Sequence, residues 1–300
     1  MKCFYHSADL DGHCSGALIK MAYPDCEMIG INYGDEFPWD SVPIGGGEKV
    51  FIVDFSLQPF PEMVKLSLHA DPLIWIDHHK SAIEDHEEWK HSVNGGLLGN
   101  YKPGAGACQL VWEYLKGDGH FYIEDFQDLD RGVIPTFIKL LAEYDVWDHS
   151  DPRTLCFQHG MRQIKDTNPE KEGFWRSLFD VELVNRITEN GGIILQYQNS
   201  ENEKYCKACA FETELDGLKC IAVNKMLTNS QVFDSVWDES KYDAMLTFGF
   251  RKGQWTVSLY STKDNVDVSG IAKNRGGGGH KGAAGFQCKE LPFQMQGGTQ

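Results

Sequence analysis

Through the first half of the chain, apolar runs of four to six residues alternate with longer amphipathic stretches. That is the pattern of βαβ units building a parallel sheet. Strands are expected over 2–5, 27–32, 49–53 and 73–76, and helices over 14–22, 61–68, 105–116 and 134–144. Pro61 sits near the first turn of its helix, and the 105–116 helix stops before Gly117. Gly45-Gly46-Gly47 and Asn94-Gly95-Gly96 read as surface loops. From about Phe174 the texture becomes charged and helix-like, broken at Asn190-Gly191-Gly192 and resumed to about Cys209, which reads as a connection between domains. Strands over 219–223, 244–251 and 256–261 follow, and then Arg275-Gly276-Gly277-Gly278-Gly279-His280. The expected architecture is α/β: a parallel-sheet N-terminal domain (1–185), a helical linker (186–212), a smaller α/β C-terminal domain (213–293) and a frayed tail (294–300).

Composition narrows the function classes. A length of 300 residues fits two domains, and 41% hydrophobic with 24% charged residues is ordinary for a globular chain. The balance of 28 Lys and Arg against 44 Asp and Glu leaves −16, which disfavours wrapping long duplex nucleic acid or an anionic membrane. A polyanionic substrate has to be met locally. No apolar run approaches the roughly 20 residues of a membrane span, so a cytoplasmic protein is expected. Nine cysteines, an odd count, read as reduced thiols, and Cys206-Lys-Ala-Cys209 lacks the second pair of a structural metal site.

Three expected strands end alike, with acidic or imidazole side chains directly after an apolar run. His6-Ser-Ala-Asp9-Leu-Asp11-Gly12 follows the first, Asp54 the third and Asp77-His78-His79 the fourth. In an open parallel sheet the carboxyl ends of neighbouring strands face one crevice, so these residues should meet. Asp145, after the 134–144 helix, is a fourth contributor. A single aspartate at such a place usually caps a helix or forms a turn. So many carboxylates together repel one another unless cations hold them, and carboxylate with imidazole suits manganese first, with magnesium, iron, cobalt or zinc as alternatives. Four aspartates and two neutral histidines around two divalent ions sum to −4 + 4 = 0. Asp9-Leu-Asp11-Gly12 is no EF-hand, whose glycine falls where Cys14 stands. His86, His91, His120, His149 and His159 read as surface or supporting residues.

With these motifs the chain resembles the DHH-type phosphoesterases over nearly its whole length. The resemblance rests on Asp9-x-Asp11, the aspartate after the third strand, the Asp77-His78-His79 triplet, the later lone aspartate and the Gly-Gly-Gly-His of a DHH-associated C-terminal domain. It implies one metal on His6, Asp9 and Asp54 and a second on Asp11, Asp54, His78 and Asp145, with Asp54 bridging and the catalytic residues Asp77 and His79 orienting ligands or assisting the transition state. His6 precedes Asp9 by three residues where many relatives have four, and Asp148 competes with Asp145 for the fourth motif.

Gly277, Gly279 and Gly282 spell a GxGxxG, but no strand-to-helix unit with a later acidic residue surrounds it, and no Gly-Lys-Ser/Thr marks a P-loop. The run reads as a loop where backbone approaches a phosphate or base, and the resemblance makes Arg275, Gly278, Gly279 and His280 its substrate-binding residues. Tyr260 stands where many relatives have arginine and is read as stacking on a base. The resulting expectation is a two-metal enzyme, with Mn2+ or else Mg2+ or Co2+, hydrolysing short single-stranded RNA or DNA or linear dinucleotides to mononucleotides. Cyclic dinucleotides, polyphosphate and 3′-phosphoadenosine phosphate are alternatives within the same chemistry, and a non-hydrolysing nucleotide sensor is the alternative outside it. A homodimer is the default assembly for an enzyme of this size.

Overall fold

The computed structural model describes residues 1–44, 47–92, 97–117 and 133–295. It divides into two compact units, Met1–Leu195 and Gln196–Gln300. The N-terminal unit carries β1 (Lys2–His6), β2 (Glu27–Ile31), β3 (Glu48–Val53), β4 (Ala70–Asp77) and β5 (Leu98–Tyr101) in one sheet of order β2-β1-β3-β4-β5. Every pairing in it is parallel. Both faces are covered, which is why these strands read as continuous apolar runs. Phe4, Ile52 and Trp75 pack on one face with Met63 and Leu66 of α2 (Pro61–His69). Tyr5, Phe51, Val53 and Ile76 pack on the other with Cys14, Ala17 and Leu18 of α1 (Leu10–Ala22). Because α1 and α2 cover opposite faces, strand order reverses between β1 and β3, the position where open α/β sheets form their crevice.

α1 begins earlier than periodicity suggested, because Asp9 caps it: its Oδ1 accepts from Gly12 N at 2.9 Å. Between β4 and the α4 helix (Ala107–Gly117) lie two elements absent from the sequence reading, α3 (Lys80–Trp89) and β5. α3 buries only Ala82 and His86, and β5 is a four-residue edge strand without a β-branched side chain. α5 (Thr136–Asp145), α6 (Thr154–Arg162), α7 (Glu172–Ser177) and α8 (Val181–Cys209) complete the helical layer.

The expected break at Asn190-Gly191-Gly192 does not occur, and α8 runs through it for 29 residues. These glycines are contact points, not breakers. A Cβ on Gly191 would lie 1.8 Å from the carbonyl oxygen of Cys156 on α6, so only glycine lets the two helix backbones touch.

The C-terminal unit, which takes over within α8, has a sheet of order β10-β11-β9-β8-β7-β6. Its strands are β6 (Phe211–Leu215), β7 (Leu218–Val223), β8 (Ala244–Arg251), β9 (Gln254–Tyr260), β10 (Gly278–His280) and β11 (Ala283–Cys288). All pairings are antiparallel except β7 with β8. The core of one face includes Leu246, Val257, Leu259 and Phe286, closed by Val268 and Ala272 of α9 (Val268–Lys273). The glycine run expected as a loop is the edge strand β10 of a hairpin with β11. Residues 45–46 and 94–96 of the expected loops, His120 and residues 296–300 of the tail lie outside the described residues.

Candidate metal centre

His6 ends β1, Asp9 and Asp11 open α1, Asp54 follows β3, and Asp77-His78-His79 closes β4. Gly12 lets this first turn fold onto the strand, since a Cβ there would lie 2.1 Å from the His6 carbonyl oxygen. His6 Nδ1 is 2.9 Å from Asp9 Oδ2 and 3.5 Å from Asp54 Oδ2. His78 Nε2 is 3.3 Å from Asp54 Oδ1 and 3.0 Å from Asp145 Oδ2. Asp145 therefore reaches the cluster from the last residue of α5. Asp148 does not, and its Oδ1 accepts from Ser150 N at 3.0 Å and from the Ser150 hydroxyl. His6 is brought in despite its shortened spacing.

Ligand atoms of His6, Asp9 and Asp54 lie within 4.8 Å of one another, as do those of Asp11, His78 and Asp145, and those of Asp54, Asp77, His78 and His79. Asp11 also holds the start of α4, where its Oδ2 and Oδ1 accept from Ala107 N at 2.6 Å and Cys108 N at 2.9 Å. Asp77 Oδ1 accepts from His78 N, His79 N and His79 Nδ1 at 2.7, 3.2 and 2.6 Å. Asp54 is 1% exposed and holds a φ of +56°, a left-handed backbone uncommon outside glycine and costly to maintain.

Burial opposes charge on both rings, but the facing carboxylates outweigh it, pushing His6 up to about 11 and His78 up to about 12. Burial and its acidic neighbours push Asp11 and Asp54 upward. Asp9 is held down by His6 against its own burial, and Asp77 by His79. A divalent cation fits this centre because buried atoms of the right chemistry are left without a hydrogen bond. They are His6 Nδ1, both oxygens of Asp54, Asp77 Oδ2 and His78 Nε2. Buried polar atoms are ordinarily satisfied, and five at one crevice are explained by a ligand.

Asn32 was not singled out in the sequence. It directly follows β2, by the same strand-end logic, and its Oδ1 lies 3.2 Å from His6 Nε2 and accepts from Tyr33 N at 2.8 Å. The Tyr33 ring stands edge-on to His6 and His79. His86 and His159 prove buried rather than superficial.

Across 97% of its length the chain is 24% identical to the oligoribonuclease NrnB of Bacillus subtilis (strain 168), matching 74% of that protein. This likeness is consistent with the resemblance to the DHH-type phosphoesterases carried by the motifs. It is also 26% identical, over 82% of its length, to an uncharacterized protein of Acanthamoeba polyphaga mimivirus, of which it spans about half the length, 56%. No family model matches the chain. Two solved structures share the fold: a pGpG-specific phosphodiesterase from Vibrio cholerae (14% identical, 95% of this chain and 92% of that one, TM-score 0.50) and an exopolyphosphatase-related protein from Bacteroides fragilis (12%, 97% and 87%, TM-score 0.55).

The remaining candidates read from the sequence lie in the C-terminal unit. Gly278, Gly279 and His280 form β10. Arg275 is engaged nearby: its Nη1 and Nη2 donate to Asp216 Oδ2 and Oδ1 at 2.8 and 2.6 Å, and Nη1 also donates to the Ile271 carbonyl. Tyr260 Oη donates to the Thr228 carbonyl at 3.3 Å. Cys206 is buried and Cys209 exposed, both free.

Proposed function

We propose that the chain is a two-metal phosphodiesterase that hydrolyses short single-stranded oligonucleotides or linear dinucleotides to mononucleotides. The observation that carries this reading is the set of buried oxygen and nitrogen atoms of His6, Asp54, Asp77 and His78 that make no hydrogen bond at the strand-order reversal. The likeness to an oligoribonuclease along nearly the whole chain supports the substrate class. His6, Asp9 and Asp54 would hold one ion and Asp11, Asp54, His78 and Asp145 the other, Mn2+ before Mg2+ or Co2+. Two divalent ions in such a centre activate water near neutral pH and neutralise charge on the phosphoryl group.

The side chains do the positioning. Asn32 Oδ1, already fixed by Tyr33 N, accepts from His6 Nε2 and so turns Nδ1 toward the crevice, where a metal would displace its proton. Asp77 orients His79 and raises its proton affinity against the effect of burial. His79 thereby keeps a proton to give to the leaving oxygen, the role of a general acid. Gly278, Gly279 and His280 receive the substrate's terminal nucleotide, with Arg275 bracing the approach to β10 through Asp216. The enzyme works in the cytoplasm, which nine free thiols suit, and as a homodimer. Among the described residues no helix is long and apolar enough to cross a membrane.

The test is a substrate panel resolved by product: a linear dinucleotide, a short oligoribonucleotide, a cyclic dinucleotide, polyphosphate and 3′-phosphoadenosine phosphate. Mononucleotides are expected from the first two, none after chelation, with turnover restored by Mn2+. Turnover confined to the last three substrates overturns the substrate assignment. Full metal occupancy with no turnover at all makes the protein a sensor.

A further inference from the structure

The C-terminal sheet carries a second feature of chemical interest, on the face opposite α9. A cavity of ≈ 490 Å³ opens there over β8, β9 and β11, walled by the segment 225–228. Lys225, Arg251 and Lys252 line it, and no described lining residue is acidic, although acids outnumber bases 44 to 28 in the chain. Some other cations of this unit are spent on carboxylates, Lys241 on Glu212, Lys263 on Asp243 and Arg275 on Asp216. Arg251 and Lys252 are exposed and, among the described residues, pair with no carboxylate, while Lys225 Nζ donates to the neutral Asn202 Oδ1 at 2.7 Å.

The floor is polar and uncharged. Thr256, Ser258 and Gln287 point into the cavity from β9 and β11. Register extends this face to the glycine-rich edge: Thr247 lies opposite Ser258, Ser258 opposite Gly285, and Gly285 opposite Gly278. Directly opposed residues of antiparallel strands share a face, so the row ends on Gly278, where a Cβ would meet nothing within 4 Å. At the lip, Leu227 is 98% exposed with a φ of +55°, an apolar side chain held out by a strained backbone. The Tyr260–Thr228 hydrogen bond ties the segment to the sheet.

We propose that this groove binds the phosphate backbone of a single-stranded oligonucleotide, with Lys225, Arg251 and Lys252 as phosphate anchors and the hydroxyl and amide floor facing sugars and base edges. Hydroxyl and amide groups both donate and accept, as bases and riboses require, whereas an acidic peptide needs cations alone. The ligand class rests on the proposed function, but the groove binds without the metal centre.

The experiment titrates a fluorescently labelled tetraribonucleotide with the full chain in excess chelator, following anisotropy at several salt concentrations. Arg251→Gln with Lys252→Gln, both on an exposed hairpin, should weaken binding at least about tenfold. It should also make the slope of log Kd against log salt shallower by about 1.4, the value for two lost single-strand phosphate contacts. An unchanged Kd and slope in the double variant overturns the groove, whatever the panel shows. Competition by a glutamate peptide stronger than by unlabelled oligonucleotide of equal charge overturns the nucleic-acid assignment. If the wild type binds through these cations yet turns over none of the panel, the hydrolytic reading fails and the groove stands.

Discussion

The two sheets treat charge in opposite ways. At the carboxyl ends of β1, β3 and β4 the N-terminal unit buries carboxylates and imidazoles whose inward atoms make no hydrogen bond. In the C-terminal unit Glu212, Asp216 and Asp243 are each matched to a cation at the surface, while Arg251 and Lys252 at the groove pair with no carboxylate among the described residues. The crevice of one unit therefore gathers acids, and the groove of the other gathers bases. Unmatched charge of opposite sign in two units is what a metal-dependent enzyme acting on a polyanion requires, since surface pairs add little stability and unmatched groups mark where ligands bind.

Asp54 offers the most forceful way to break that contrast. Asp54→Asn removes the carboxylate both ion sites would share, so metal content should fall and Mn2+-dependent turnover should drop by at least about a thousandfold, on the scale of losing a principal electrostatic group. Stability should move differently. Asparagine adopts the left-handed backbone of position 54 readily, and it relieves crowding among acids that have no cation. The metal-free variant should melt no lower than the metal-free wild type. A large fall in its melting temperature would mean that Asp54 is retained for folding and that oxygens without a hydrogen bond are no sign of a ligand.

How much of this was legible in the sequence follows from where each group sits on its element. His6, Asp9, Asp54 and Asp77 could be found because each abuts an apolar run, and a parallel sheet aligns such ends whatever lies between. Asn32 has the same placement but is an amide, and a search for metal ligands passes over it. Lys225, Arg251 and Lys252 were illegible for a different reason. One lies just past β7, one ends β8 and one turns the β8–β9 hairpin, and only strand pairing makes them neighbours. Edge strands β5, β6 and β10 escaped because each is short or half-exposed, so packing rather than pattern decides them. Gly191-Gly192 misled outright, since a glycine pair punctuates a helix unless another backbone occupies the space.

The same two glycines allow a test confined to the N-terminal unit. Gly191→Ala drives a Cβ into the Cys156 carbonyl and should destabilise by about 1–3 kcal/mol, as overpacking does. At Gly192 the nearest neighbour of a Cβ is Cys156 Sγ at 3.6 Å, an ordinary contact, so Gly192→Ala should stabilise by up to about 1 kcal/mol through helix propensity. Opposite shifts in thermal melts of the two variants are the expected result. If Gly191→Ala also abolished oligonucleotide binding in chelator, the units would not be separable and the contrast between them would lose its meaning.

The smallest effect concerns the cation that is already matched. Arg275 pairs with Asp216 near the surface and lies over the Phe286 ring, so Arg275→Gln should cost about 0.2–1 kcal/mol, the ordinary worth of an exposed ion pair. A brace that touches no phosphate leaves the salt dependence of tetranucleotide binding unchanged, because the number of neutralised phosphates is unchanged. Arg251→Gln with Lys252→Gln has the reverse signature, a shallower salt slope with no loss of thermal stability, since those cations stabilise nothing in the free chain. A shallower slope in Arg275→Gln as well would show that its guanidinium leaves Asp216 for the substrate, and would move Arg275 from the matched charges of the C-terminal unit to the unmatched ones.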